Sequence, residues 1–387
     1  MAQARNIIVV GGGIGGLAAA LAFRKSGAFV TVVEQADELR EVGAGLQISP
    51  NGMRVLDALG VGKALRARST LGSSVSLRRA ENDHEVARLR LDQKTPYAFV
   101  HRADLIDILA DAVRSAGVAL RLGCKVKHIA PGDTPAAILE DGTTLVADVI
   151  VEASGLRSGL RRLLNPAQLA FFTGQVAWRA IVPNTAARGP QVHVHMAPGQ
   201  HLVSYPLRSG EILNLVAIQE RRDWVKEGWT HEDDPANLRA AFSGACDAVQ
   251  EMLRRVERVH LWGLHRHEVA KVWSRQNTVL LGDAAHPTLP FLAQGANMAL
   301  EDAWALAACV RSEGADGLQS YQALRETRVT RAIETANGNA KRYHLPRGPV
   351  RLGAHAGLKL VSSLAPRLMT APFAWLYDYD VTKAAPM

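Results

Sequence analysis

The chain has 387 residues, 48% of them apolar, and a formal charge of +8 at neutral pH. It is too long for one hydrophobic core, so two domains are expected, and no stretch reaches the ~20 consecutive apolar residues of a membrane span. Lys and Arg are dispersed, without a basic stripe interleaved with aromatics, which argues against a nucleic-acid surface and leaves a mild positive field suited to anionic small molecules.

The first elements are the most informative. Residues 7–10 (Ile-Ile-Val-Val) read as a buried strand, Gly11-Gly12-Gly13-Ile14-Gly15-Gly16 as a glycine turn, the Ala/Leu-rich run to Gly27 as a helix, and residues 29–33 as a second strand ending at Glu34. In that arrangement Gly11 permits a tight turn, Gly13 lets the backbone approach a pyrophosphate, and Gly16 lets helix and strand pack closely. The helix start at Ile14 and Gly15 offers free N–H groups and a positive dipole end to the phosphates. Glu34 is placed to accept hydrogen bonds from a ribose diol. A secretory signal peptide is the competing reading, with Arg5 ahead of an uncharged run over 7–23. Five glycines within residues 11–16 deny it a continuous apolar core.

Farther along, Pro50 and Asn51 mark a turn or helix start, and a helix over 53–59 stops at Gly60. Residues 72–91 alternate as short β segments. His101-Arg102-Ala103-Asp104-Leu105 opens an amphipathic helix that stops near Gly117, with Leu105, Ile108, Leu109, Ala112 and Val113 on one face. Strands follow at 118–121 and 124–129, then a hairpin turning at Asp141-Gly142. A strand over 148–151 leads into Glu152-Ala153-Ser154-Gly155. Residues 176–182, 191–196, 201–207 and 212–218 are strand-like between Gly/Pro turns. A helical piece at 235–256, a strand near 258–262 and a strand over 278–281 come next. The last strand runs into Gly282-Asp283-Ala284-Ala285-His286-Pro287, and a helix spans about Gly295 to Arg311. The remaining tail is helical, broken at Pro346, Pro366 and Pro372.

The expected fold class is α/β with an α+β insertion. A discontinuous Rossmann-like domain (1–70, 98–170, 275–340) is interrupted by an antiparallel-sheet substrate domain (71–97, 171–274) and followed by a helical tail (341–387). Cys124, Cys246 and Cys309 have no CxxC or ligand-like spacing, so they read as free thiols of a reducing, cytoplasmic compartment. His193 and His195 share one face of a strand without a third ligand, so no metal site is expected.

The run Gly282-Asp283-Ala284-Ala285-His286-Pro287, continuing through Leu292-Ala293-Gln294-Gly295-Ala296-Asn297 and Glu301-Asp302-Ala303, resembles the single-component FAD-dependent aromatic hydroxylases of the para-hydroxybenzoate hydroxylase fold. The branch it resembles holds salicylate hydroxylase, 3-hydroxybenzoate 6-hydroxylase and 6-hydroxynicotinate 3-monooxygenase, and the resemblance spans nearly the whole chain. It implies that Asp283 bonds the ribitol hydroxyls of FAD. It also implies that the helix begun by Gly295, Ala296 and Asn297 aims N–H groups at the flavin pyrimidine edge, which becomes anionic on reduction. By the same resemblance Arg102 lies near the FAD pyrophosphate, Val126 borders the adenine, and Arg40 is a weaker cofactor candidate. Only one dinucleotide fingerprint is present, so FAD is expected to stay bound while NADH or NADPH visits. The implied cycle is flavin reduction, capture of O2 as a C4a-hydroperoxide, and transfer of the terminal oxygen to an electron-rich ring.

One motif departs from the family pattern. Relatives carry Gly-Ala-Asp-Gly where this chain has Glu152-Ala153-Ser154-Gly155, so serine stands in the acidic position and supplies no charge. That predicts slow reduction by NAD(P)H, sped by Ser154→Asp. For the substrate, the resemblance implies a pocket walled by Gln47, His201, Val203, Tyr205, Val216 and the Pro290-Phe291 pair. Relatives place a histidine at the Gln47 or Phe291 position or near Ser204, and none stands there. His201 and Tyr205 are therefore the candidates for activating the substrate, Arg179 is the candidate partner of a substrate carboxylate, and His286 shapes the flavin loop. The expected function is hydroxylation of a small aromatic or heteroaromatic acid by a monomer or homodimer. The alternatives are the same chemistry on a larger lipophilic phenol or polyketide, and an FAD-binding protein impaired in NAD(P)H use. The apolar tail is expected to pack over the flavin domain or in a dimer contact rather than dock on a membrane.

Overall fold

Four of the five residues of Asn6–Val10 are buried, which places this strand in the middle of a sheet. In the computed structural model, which describes residues 5–39, 44–92, 96–221, 223, 225 and 231–387, it pairs in parallel with Phe29–Val33 on one side and Val149–Glu152 on the other. The six-stranded sheet is extended by Thr278–Leu280 next to Val149–Glu152 and by Ala119–Arg121 next to Phe29–Val33, both parallel. Only Ser274–Arg275, at the edge, runs antiparallel. Near-continuous Val and Ile in the central strands match a sheet covered on both faces. Its helices include Ile14–Lys25, which packs against both Arg102–Ser115 and Gly295–Glu313. His101 caps Arg102–Ser115, its ring nitrogen accepting from the Ala103 N–H at 3.3 Å.

A second, eight-stranded sheet gathers residues from two separate parts of the chain. Its order is Glu232–Asp233, Val259–Arg266, Phe171–Pro183, Ile212–Glu220, Gln200–Leu207, Gln191–Ala197, Ser74–Arg79 and Glu85–Arg90. Period-2 alternation divides its faces. Val176, Trp178, Leu202, Leu213 and Leu215 pack on Leu238, Phe242, Val249 and Leu253 of the helical segment between Glu232–Asp233 and Val259–Arg266. The opposite face carries Arg179, His201, Val203, Tyr205, Val216 and Ile218 toward the nucleotide-binding half.

A small sheet of Gly45–Ile48, Ala98–His101 and Thr70–Leu71 joins the two halves. Gly45 is needed there: a Cβ would sit 2.7 Å from both Asn214 and Tyr205 of the large sheet.

Two elements differ from expectation. The helix predicted over 53–59 starts earlier, as Pro50–Ala58, because Pro50 occupies the first turn, where no N–H partner is required. The helical piece predicted over 235–256 is two helices, Pro235–Ala241 and Asp247–Arg254. Between them the Cys246 N–H turns away to the Ala80 carbonyl at 2.7 Å, ending the first helix's register.

The tail forms Pro349–Leu364, Arg367–Thr370, Ala374–Tyr377 and Val381–Ala384. Its last part is tied to the nucleotide-binding half. Arg54 donates to the Tyr377 carbonyl at 2.6 Å, Arg328 to the Trp375 and Leu376 carbonyls at 2.8 Å, and Trp304 to the Ala385 carbonyl at 2.8 Å. Pro349–Leu364 lies along Glu85–Arg90 and leaves Val350, Leu352, Leu360 and Leu364 exposed. No helix among the described residues is long and apolar enough to cross a membrane.

Candidate active site

Parallel strands bring their C-terminal ends to one edge, so the loops after them converge. Here these are residues 11–16, Glu34, Glu152–Gly155 and Gly282–Ala284, and they open into a cavity of about 1010 Å³ that continues to the inner face of the large sheet.

At the first loop the backbone leaves no room for side chains. Gly11 has φ +110°, and a Cβ on Gly16 would lie 1.9 Å from the Gly11 carbonyl oxygen. Gly13, by contrast, has nothing within 4 Å of where its Cβ would be. It begins the Ile14–Lys25 helix, which has no side-chain cap, and Gly13, Ile14 and Gly15 line the cavity. The free first-turn N–H groups make this an anion site. Beside it the Glu34 carboxylate is held by the Gly12 N–H at 2.6 Å and the Ala36 N–H at 2.9 Å. Val126 lines the same end.

A second uncapped helix start faces the cavity. Gly295–Glu313 has neither a side-chain cap nor an acid in its first turn, and Gly295 and Ala296 are in the wall. Asp283 lies in the wall too, and burial raises its carboxyl against the pull of His286 and Arg102. Burial brings the Arg102 guanidinium down to about 10, Arg179 lowering it further and Asp283 opposing. Two positive dipole ends, a buried acceptor and an arginine in one cavity fit FAD: the first helix start would hold the phosphates, Asp283 the ribitol and the second helix start the flavin.

At the far end His201, Val203 and Tyr205 alternate along one strand; Val203 is paired with Val216, and Val216 with Arg179. The Arg179 guanidinium lies 5.9 Å from the Trp262 ring centre. Burial pushes the Tyr205 phenol up, so it stays protonated and keeps its O–H as a donor. Gln47 accepts from the Tyr97 hydroxyl at 3.0 Å. His201 is 1% exposed, and burial holds its imidazole well below the usual range. Its ring centre is 6.0 Å from that of Phe291, which sits in the short turn Pro290–Leu292.

Both catalytic candidates, all six substrate candidates and most cofactor candidates therefore line one cavity. Two do not. Gly16 is packing behind the turn. Asn297 is fully buried behind the wall, accepting from the Ser49 N–H at 3.0 Å and donating to the Gln47 and Ala293 carbonyls at 3.0 and 2.8 Å. Its side chain pins the start of its helix to the small sheet. Arg40 lies outside the described residues.

Sequence reasoning missed several wall residues. Tyr97, Tyr343, Phe373 and Tyr377 line the cavity from distant parts of the chain. Glu152 does so as well, and the Ser154 hydroxyl and N–H both donate to its carboxylate, the latter at 3.0 Å. The acid absent at position 154 thus stands two residues earlier, with burial raising it; the altered motif itself was the available signal. His286 is anchored beneath the flavin loop. Its Nε2 is 2.5 Å from Asp302, which shares the buried Arg325 with Glu301 at 2.7 and 2.6 Å. His195, beside His193, bonds Asp83 at 2.9 Å.

This fold and this cavity define a flavoprotein hydroxylase of the para-hydroxybenzoate hydroxylase class. The FAD binding domain family matches residues 5–336, and the chain belongs to that family as an FAD-dependent aromatic monooxygenase. It is 32% identical to the 3-amino-4-hydroxybenzoate 2-monooxygenase PtmB3 of Streptomyces platensis, over 99% of this chain and 97% of that one. It is 30% identical to the 3-hydroxybenzoate 6-hydroxylase of Polaromonas naphthalenivorans (strain CJ2), over 97% and 96%. A salicylate hydroxylase substrate complex superposes with a TM-score of 0.84 at 24% identity, covering 100% of this chain and 98% of that one.

Proposed function

We propose that the protein hydroxylates a small aromatic or heteroaromatic acid, using O2 and electrons from NADH or NADPH. FAD supplies the reduction by pyridine nucleotide and the activation of O2. The chain's own residues bind and orient the ring. The observation that carries this reading is the substrate end of the cavity, where a cation (Arg179), a neutral phenol donor (Tyr205) and a neutral imidazole (His201) converge among Val203, Val216 and Phe291. That set suits a flat ring bearing a carboxylate and a hydroxyl: Arg179 takes the carboxylate, Tyr205 donates, and His201 accepts the phenolic proton. The tail aromatics Phe373 and Tyr377 help exclude water. The two relatives are named for hydroxylated benzoates, 3-amino-4-hydroxybenzoate and 3-hydroxybenzoate, which supports the same substrate class here.

We take residues 1–70, 98–170 and 275–340 as the FAD-binding part and 71–97 with 171–274 as the substrate part. Glu152, bonded to Ser154, weighs against a protein impaired in NAD(P)H use, because a carboxylate remains at that strand end. The test is aerobic NADH and NADPH consumption by the FAD-loaded protein across a panel of hydroxybenzoates, aminohydroxybenzoates and hydroxypyridine carboxylates. Stimulated consumption with a hydroxylated product is expected. Consumption unchanged by every ring would overturn the proposal.

A further inference from the structure

His201 is one end of a hydrogen-bonded chain that leaves the cavity. Its Nδ1 lies 2.7 Å from Nε2 of His344, and Nδ1 of His344 lies 2.9 Å from Oε1 of Glu220. Both imidazoles are buried, whereas the Glu220 side chain is 54% exposed. Three distant parts of the chain supply the groups: the strand Gln200–Leu207, the end of the strand Ile212–Glu220, and the residue directly after the helix Gly317–Tyr343. The backbone holds them in place. The Glu220 N–H donates to the Gly199 carbonyl at 2.8 Å, and the Gly199 N–H to the His344 carbonyl at 3.4 Å.

The chemistry of the three groups allows one arrangement of protons. A carboxylate only accepts, so Glu220 takes the Nδ1–H of His344. A neutral imidazole has one N–H, so Nε2 of His344 must accept, and it takes the Nδ1–H of His201. That leaves Nε2 of His201 bare on a residue that lines the cavity. Burial favours the neutral form of both rings, His344 adding to this at His201 while Glu220 opposes it at His344. The other titratable ring against His201 is Tyr343, 5.1 Å away between centres. Burial pushes its phenol up to about 12, so it keeps its proton.

We propose that His344 and Glu220 are positioning residues that set His201 as the base for a substrate's phenolic proton and conduct that proton to the surface. This rests on the reading of the substrate as a hydroxylated ring. The substrate O–H bond breaks, its electron pair stays on oxygen as phenolate, and an N–H bond forms at Nε2 of His201. The Nδ1 proton of His201 moves to Nε2 of His344, and the Nδ1 proton of His344 moves to Glu220, which exchanges with water. The reverse shifts reprotonate the product and restore the starting tautomers.

The test uses the FAD-loaded protein with 15N-labelled histidine, whose two-bond 15N–1H spectra report each tautomer; His201→Gln and His344→Gln assign the signals. Wild-type His201 is expected as the Nδ1–H form. Glu220→Lys replaces the acceptor with a donor, so His201 should switch to the Nε2–H form. The substrate-stimulated kcat/KM should then fall roughly 10²-fold, within the range of general-base contributions, with the flavin spectrum and FAD affinity unchanged. Glu220→Gln, whose amide oxygen still accepts a hydrogen bond but takes no proton, should keep the wild-type tautomer while the rate falls. Nε2–H on wild-type His201, or an unchanged tautomer and rate in Glu220→Lys, would overturn the proposal. If no ring stimulates NADH oxidation, the hydroxylase reading fails, while the tautomers still decide the relay.

Discussion

In the proposed reading a single guanidinium anchors the substrate. Arg179 stands on the inner face of the large sheet, where burial penalises its charge and Tyr205 opposes that. A cation in that state is stabilised by an incoming carboxylate. Arg179→Gln should raise KM for a carboxylated substrate ~10-fold or more, matching loss of a charged hydrogen bond worth ~1.5–3 kcal/mol, and should change kcat less. Steady-state kinetics on an acid and on its carboxyl-free analogue check this, because the analogue should be insensitive. Ser154 is the second case. Its hydroxyl is committed to Glu152, so Ser154→Asp alone sets a second carboxylate beside the buried Glu152. The sequence predicts faster flavin reduction in this variant, and the repulsion between the two carboxylates predicts weaker FAD retention as well. Glu152→Gly with Ser154→Asp, which removes that repulsion, should restore it. Flavin release on heating distinguishes the single from the double variant.

Among the elements, the Gly295–Glu313 helix must hold its uncapped start at the cavity. It is anchored from behind by charge, since Glu301 and Asp302 are fully buried against Arg325, with Arg328 also on Glu301 at 2.8 Å. Removing one partner of such a cluster leaves an uncompensated buried charge, costing ~3–5 kcal/mol. Arg325→Met should therefore lower Tm by several degrees and weaken FAD binding, although Arg325 does not line the cavity. Thermal melts with and without added FAD measure both effects. Arg325 drew no notice in the sequence because it sits on a mostly polar helix; only the packing of Gly317–Tyr343 on Gly295–Glu313 makes it a counter-ion.

For the whole molecule, buried titratable groups give stability a two-stage acid profile. Burial holds His193 at about 4 and lowers His195, His201 and His344. Their neutral forms are favoured in the fold, so their contribution is present above the unfolded value of ~6.5 and is lost as pH falls through the lowered folded values. Glu301 and Asp302 are held below the usual carboxylate range by Arg325 and His286, which outweigh burial. Their contribution is present above ~4 and is lost below it. Tm should decline gently from about pH 6.5 and more steeply below about pH 4. In Arg325→Met the steep part should shrink, because part of what depresses Asp302 is gone. A Tm series across pH on both proteins reads this.

The sequence by itself determined the nucleotide-binding half. Residues 7–34 and 278–302 carry local signals, a glycine turn between a strand and a helix and a Gly-Asp strand end, whose meaning depends on near neighbours in the chain. The inserted sheet and helical tail were equally legible, because period-2 and helical patterns are local. Tertiary structure alone decided what meets at the cavity. His201 gains its tautomer from His344 and Glu220, the Asn297 side chain braces its helix against the small sheet, and Tyr343, Phe373 and Tyr377 close the substrate end. Those contacts join residues tens to hundreds of positions apart, and their chemistry comes from burial and proximity, neither of which a linear pattern records.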